Sequence, residues 1–235
     1  MKKIKGNLIY PIIIIGIVLI FITGCKKKDD SNNNPAPSGI TVTDIDGNVY
    51  HAVTIGTQVW MAENLKTTKY RNGILIPVVT DSVQWATLTT PASCYFNNDL
   101  NMVNTYGRLY NWYAVTDTSN IIAPAGWHVP TEAEWTTLTT YLGTGAGGKL
   151  KSTGTTYWNS PNAGATNATG FNGLPGGDRS NTGLFHYLGV YGCFWCTTAY
   201  SPTDGLEYVL STNSSNVISM NYSKGLGLSV RCVKD

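Results

Sequence analysis

GWHVPTEAEW, residues 126–135, sets a turn, a helix start and an aromatic anchor side by side. Thr131 and Glu134 have the spacing of a capping box, in which each side chain satisfies one orphan backbone N–H at the first turn of a helix. Trp135, Leu138 and Leu142 recur on one helical face, and Gly143 can take the left-handed conformation that ends a helix. Together these signals predict a helix over 132–142 with Trp135 in the core. Glu132 and Glu134 read as a solvated face and a cap, not as an acid/base pair.

Upstream of this helix, Thr41, Val42 and Thr43 lead through Asp44 to Asp46-Gly47, a hairpin signal. Residues 48–55 (NVYHAVTI) alternate as a second strand, Gly56-Thr57 turns the chain, and 58–62 (QVWMA) reads as a third. A second helix is predicted, capped by Asn104 or Thr105 and carrying Tyr106, Leu109, Tyr110 and Tyr113 on one face, although Gly107 weakens it. Downstream, glycine and asparagine dominate between Gly143 and Gly177, so long ordered loops are expected there. Strands are expected again at 193–198, 207–211, 217–222 and 228–233.

Of the 235 residues, 13% are charged and the formal net charge is +2, with no basic stripe of the kind nucleic acids require. Seven Trp, 14 Tyr and 25 Gly describe a loop-rich domain whose aromatic side chains suit sugars or protein surfaces. The roughly 195 residues from Gly39 onward suit one domain.

The first residues have a different character. Lys2, Lys3 and Lys5 precede an apolar run from Leu8 to Ile22, broken by Pro11 and Gly16, which is short of the about 20 residues a membrane span needs. Ile22-Thr23-Gly24-Cys25 follows and resembles a bacterial lipobox. Residues 1–24 are therefore expected to be a signal peptide and Cys25 the acylated (palmitate-type) first residue of the mature chain. Residues 25–40, rich in Lys, Asp, Asn, Ser and Pro, have the composition of a flexible tether. Within it, Lys28-Asp29-Asp30 resembles the signal that sends Bacteroidetes lipoproteins to the outer face of the outer membrane. The expected location is the outer membrane, lipid-anchored and surface-exposed.

Several runs in order carry a family resemblance: NVYHAVTIGTQVWMAENL (48–65), YGRLYNWYAV (106–115), GWHVPTEAEW, GGKLKSTGTTYWNSP (147–161), TGFNGLPGGDR (169–179) and GLSVRCVKD (227–235). Residues 41–235 resemble the Fibrobacter succinogenes major paralogous domain, which implies a surface or secreted bacterial protein. A more distant similarity, carried by PTEAEW and by Gly227 and Arg231, reaches the C-type-lectin-like fold and its formylglycine-generating branch. It implies an α+β fold, with two helices, a small twisted antiparallel sheet and long ordered loops. The Glu-Pro-Asn and Trp-Asn-Asp motifs of calcium-dependent lectins are absent, so no such sugar site is expected.

Beyond Cys25 the cysteines are Cys94, Cys193, Cys196 and Cys232, and an extracytoplasmic setting favours disulfides, with three connectivities open to four cysteines. Many members of the resembled family carry a cysteine where this chain has Ala123, and read WWSST where it has FWCTT. The resemblance thus implies a bond from Cys232 to Cys193 or Cys196. The run GCFWC (192–196) also spells the opening of the active site of peptide methionine sulfoxide reductases, which makes a thiol oxidoreductase using Cys193 and Cys196 the enzymatic alternative. That chemistry needs a low-pKa thiolate at a helix start, whereas Thr197-Thr198 follow here in place of an acid.

The remaining polar candidates are sparse. His51, His128 and His186 lack a ligand spacing, so no metal and no cofactor is expected. Asp178-Arg179 reads as an internal ion pair or a loop clamp, and Arg108 and Arg231 as buried arginines bonding loop carbonyls. The expectation is a non-catalytic binding or adhesion module for a glycan or protein, with Trp158, Asn159, Asp178, Arg179 and Trp195 as its surface. A structural envelope protein is the further alternative.

Overall fold

A computed structural model describes residues 39–235; the expected signal peptide, Cys25 and nearly all of the tether lie outside the described residues. In chain order the strands are β1 (Thr41–Thr43), β2 (Val49–Ile55), β3 (Gln58–Met61), β4 (Ser93–Cys94), β5 (Leu109–Tyr110), β6 (Trp127–His128), β7 (Asp178–Arg179), β8 (Phe185–His186), β9 (Tyr191–Ala199), β10 (Asp204–Ser211), β11 (Val217–Ser223) and β12 (Val233–Lys234). The helices are α1 (Ser82–Ala86), α2 (Met102–Tyr106), α3 (Trp112–Val115), α4 (Glu132–Leu142) and α5 (Ala146–Leu150). Strands β1-β2-β3-β12-β6 form one antiparallel sheet, β11-β10-β9 a three-stranded meander, and β4-β5 and β7-β8 two small ladders.

The α+β, C-type-lectin-like expectation of two helices and one small sheet is corrected by this architecture. Among the described residues there are twelve strands in four sheets, and four of the five helices have only four or five residues. The cause is clearest at the second expected helix. Gly107, at φ 78°, closes α2, and a Cβ there would lie 2.7 Å from Asn64 Cβ. The chain then extends into β5, and the Asn111 side chain accepts the N–H of Ala114 to start α3. Tyr106, Leu109, Tyr110 and Tyr113 thus fall on three elements instead of one face. The expected strand at 228–233 is also shorter, leaving β12 and single bridges from Leu228 to Tyr110 and from Ser229 to Phe194.

The helix over 132–142 forms with its expected bounds and capping box. The Thr131 N–H donates to Glu134 Oε2 at 2.8 Å, and Trp135, Leu138 and Leu142 are buried. Trp135 stacks flat on Tyr208, ring centroids 4.6 Å apart, with the rings of Trp60 and Phe194 tilted against it at 5.1 and 5.9 Å. Burying each such side chain contributes about 2 kcal/mol.

Strand alternation decides what each face of the meander meets. Phe194, Cys196, Leu206, Tyr208 and Leu210 share a core with α4, whereas Cys193, Trp195 and Val209 share the other core with Tyr110, Leu228 and Cys232. This second face carries the site.

Three fully buried cations, Lys151, Arg179 and Arg231, hold the loops. Lys151 donates to the carbonyls of Ala163, Ser211 and Ser214 at 2.7–2.9 Å. Arg231 bonds Asn64 Oδ1 and the Phe171 carbonyl and lies over the Phe171 ring. Arg179 bonds the carbonyls of Val79, Thr80 and Gly183, between the rings of Trp85 and Phe185. Arg179 is therefore a loop clamp, and Arg231, like Arg108 on the Lys66 carbonyl, is a structural arginine, as their sequence setting indicates.

Candidate functional site

Glu207 stands mid-strand on β10, opposite Trp195 of β9 and Met220 of β11. Residues directly opposite in an antiparallel ladder point to the same face, so this carboxyl joins Trp195, Met220, Val209 and Cys193 instead of water. It is 4% exposed, and its Oε2 has no hydrogen-bond partner. The hairpin β7-β8 closes over this face. Asp178 and His186 are directly paired in its ladder, with Asp178 Oδ1 3.5 Å from His186 Nδ1.

Between hairpin and meander lies a cleft of about 370 Å³, lined by both acids, His186, Tyr187, Tyr191 and Tyr222, by Ser180 and Asn181, and by the apolar Cys193, Val209, Met220 and Leu226. Tyr187 and Tyr222 are exposed and form its rim. Tyr187 holds φ at 64°, a left-handed conformation that costs a bulky residue strain of order 1 kcal/mol or more, and its ring packs 4.8 Å from that of Tyr191.

The acids influence one another. Burial, reinforced by the charge of Asp178, pushes the Glu207 carboxyl up to about 8. Burial also raises Asp178, to about 6, against the lowering pull of His186. Cys193 is pushed up as well, by burial and then by the charges of Glu207 and Asp178. Among the described residues no group of three or more His, Cys, Asp or Glu is placed to hold a metal ion.

Of the expected binding surface, Asp178 lines this cleft and Asn159 is exposed, but Trp158, Arg179 and Trp195 are fully buried and belong to no surface. Each has its polar atoms engaged inside: Trp158 Nε1 bonds Ser152 Oγ and the Gly173 carbonyl, and Trp195 Nε1 bonds the Tyr110 carbonyl. Asp178 and Arg179, adjacent in a strand, face opposite sides and do not pair with each other. Sequence reading had no reason to single out Glu207 or Tyr222. The available signal was an acid at an inward position of an otherwise apolar strand, and reading it required knowing that both faces of β10 are covered.

Cys94, Cys193, Cys196 and Cys232 are buried free thiols, and the implied bond from Cys232 is not formed. Cys193 and Cys196 sit on opposite faces of β9, in different cores. Burial pushes Cys196 up to about 11, the reverse of the activated thiolate a redox pair needs. His128 bridges Glu134 and Asp235 at 2.6 and 2.7 Å.

Among the described residues no helix is long and apolar enough to cross a membrane. A family model described as the Fibrobacter succinogenes major domain matches residues 53–234. No match was found among curated proteins or solved structures. The chain belongs to the Fibrobacter succinogenes major domain family.

Proposed function

We propose that this member of the Fibrobacter succinogenes major domain family is a non-catalytic binding module, held at the bacterial surface by a lipid on Cys25, whose ligand seat is the cleft between β7-β8 and the β9-β10-β11 meander. The observation that carries the reading is Glu207: a carboxyl 4% exposed, without a partner at Oε2, lining an open cleft. An unpaired buried acid costs stability, so its presence is accounted for by a ligand that completes it. Exposed tyrosines at the rim supply the flat amphipathic contacts that glycans and proteins use. The lipobox residues 22–25 and the tether composition support the anchored location.

A glycan array and a thermal-shift screen of the full-length chain in mild detergent test the reading. Any saturable ligand is expected to weaken about tenfold or more with Tyr222→Ala or Glu207→Gln. Binding unchanged in both variants overturns the cleft as the seat. Labelling of the expressed protein with a fatty-acid analogue, lost in Cys25→Ser, tests the anchor.

A further inference from the structure

The ligand-recognising chemistry of the cleft is acidic at depth and aromatic at the rim. Its charged lining consists of Asp178 from β7, His186 from β8 and Glu207 from β10; Tyr187, Tyr191, Cys193 and Tyr222 are the other titratable groups facing it, and no lysine or arginine lines it. The nearby cations are committed elsewhere. Arg179 is spent on three backbone carbonyls, and Lys224 on the carbonyls of Ser201 and Pro202. Only His186 approaches an acid of the cleft, at 3.5 Å, and it approaches Asp178, leaving Glu207 without a counter-charge. Val209, Met220 and Leu226 give the cleft apolar wall, and Ser180 and Asn181 line it as neutral polar groups. Apolar wall beside an unpaired buried carboxyl, with exposed tyrosines at the opening and no cation in the lining, matches a methylene stem bearing a cationic head.

Resting on the reading of this cleft as the ligand seat, we propose that it takes the ammonium end of a primary alkylamine, with Glu207 and Asp178 receiving the head and Tyr187 and Tyr222 flanking the stem. The chemistry is shared by a lysine side chain and by a free diamine. A hydroxylated ring leaves Val209, Met220 and Leu226 unmatched and supplies no charge to Glu207, and among the described residues a bare metal ion finds no converging ligand set.

Proton linkage follows from the same geometry. Without ligand the two acids hold protons well above the ordinary carboxylate range, so receiving an ammonium group releases them. Affinity should therefore rise as pH increases from about 5.5 to 8.5, a range in which an alkylamine stays charged.

The test is isothermal titration of the full-length chain in mild detergent with cadaverine, with Nα-acetyl-lysine amide and with glucosamine, in buffers of differing ionisation enthalpy. Cadaverine or the lysine amide is expected to bind with proton release, and the tighter of the two names the source. Glu207→Gln, which keeps the shape and removes the charge, is expected to weaken binding about tenfold, and Asp178→Asn less. Thermal unfolding of both variants confirms that they are folded. No binding of either alkylamine up to about 10 mM, affinity flat with pH, binding indifferent to Glu207→Gln, or tighter binding of glucosamine each overturns the proposal. If another ligand from the screen is still displaced by cleft substitutions, the alkylammonium assignment fails and the cleft reading stands. If every ligand ignores those substitutions, both fail.

Discussion

The loop region behind β10 and the cleft in front of it bury charge in opposite ways. Behind, Lys151 is fully buried with its three donors matched to three carbonyls, and Arg231 is fully buried between an amide oxygen, a carbonyl and two aromatic rings. In front, Glu207 is almost as deeply buried and its Oε2 has no partner. Both arrangements carry a desolvation cost. Burial pulls Lys151 down to about 8 and Arg231 down to about 9, as it pushes Glu207 up to about 8. They differ in what the cost secures. The cations tie carbonyls of the glycine- and asparagine-rich segment between α5 and β7, Ala163 and Phe171, and Lys151 joins the first of these to Ser211 at the end of β10 and Ser214 in the turn after it. Glu207 sits in a regular ladder held by backbone bonds, which its carboxyl does not join, and this leaves the carboxyl to the ligand proposed above.

The comparison breaks most visibly at the cations. Arg231→Leu orphans the Phe171 carbonyl and Asn64 Oδ1 and empties the space against Phe171, and should cost about 4 kcal/mol in chemical denaturation. Loss below about 1 kcal/mol would mean the loops hold themselves. Lys151→Met leaves three carbonyls unpaired while removing a desolvated charge, for an expected loss of about 3 kcal/mol.

Glu207→Gln should do the reverse. Because the folded pKa of Glu207 lies above its unfolded value, the folded state holds a proton the unfolded chain releases between pH 4.5 and about 8. Stability therefore declines as pH rises through that window. The amide, which cannot ionise, is expected to unfold at higher temperature than the parent at pH 8.5, by an amount worth a few kcal/mol, and to match it near pH 4. A pH-independent difference between the two would show that packing, not ionisation, separates them.

The smallest effect belongs to a charge buried in neither way. His128 is about one-third exposed between Glu134 and Asp235. Burial alone would lower it, but the hydrogen bonds to Asp235 and then Glu134 outweigh burial and hold its pKa above the ordinary histidine value. Its contribution is thus present below pH 6.5 and lost as pH rises through the raised value. Solvent screening limits His128→Ala to about 0.5 kcal/mol at pH 5.5 and less at pH 8.5.

How much of this was legible depends on how local the signal is. The helix at 132–142 and the strands β2, β3, β9, β10 and β11 were readable because caps, turn residues and side-chain periodicity lie within a few residues of one another. The helix expected around Tyr106–Tyr113 failed where a contact distant in sequence, Asn64 against Gly107, selected a break. The cleft is half visible in the sequence: Asp178 stands out, but as a neighbour of Arg179, and Trp158, Arg179 and Trp195 read as surface although all three are fully buried. Their burial follows from long-range packing that composition does not encode.

By itself, the chain determined its family, several of its strands, one capped helix and the lipobox expectation at Cys25, all of which rest on local chemistry or on ordered motifs. Only the tertiary structure decided that strands outweigh helices in four sheets, that Cys193 and Cys196 face different cores, and that Glu207 meets Asp178 in a cleft. The physical reason is that which face of a strand is covered, and by what, depends on partners tens of residues away. A carboxyl's chemistry is set by that cover.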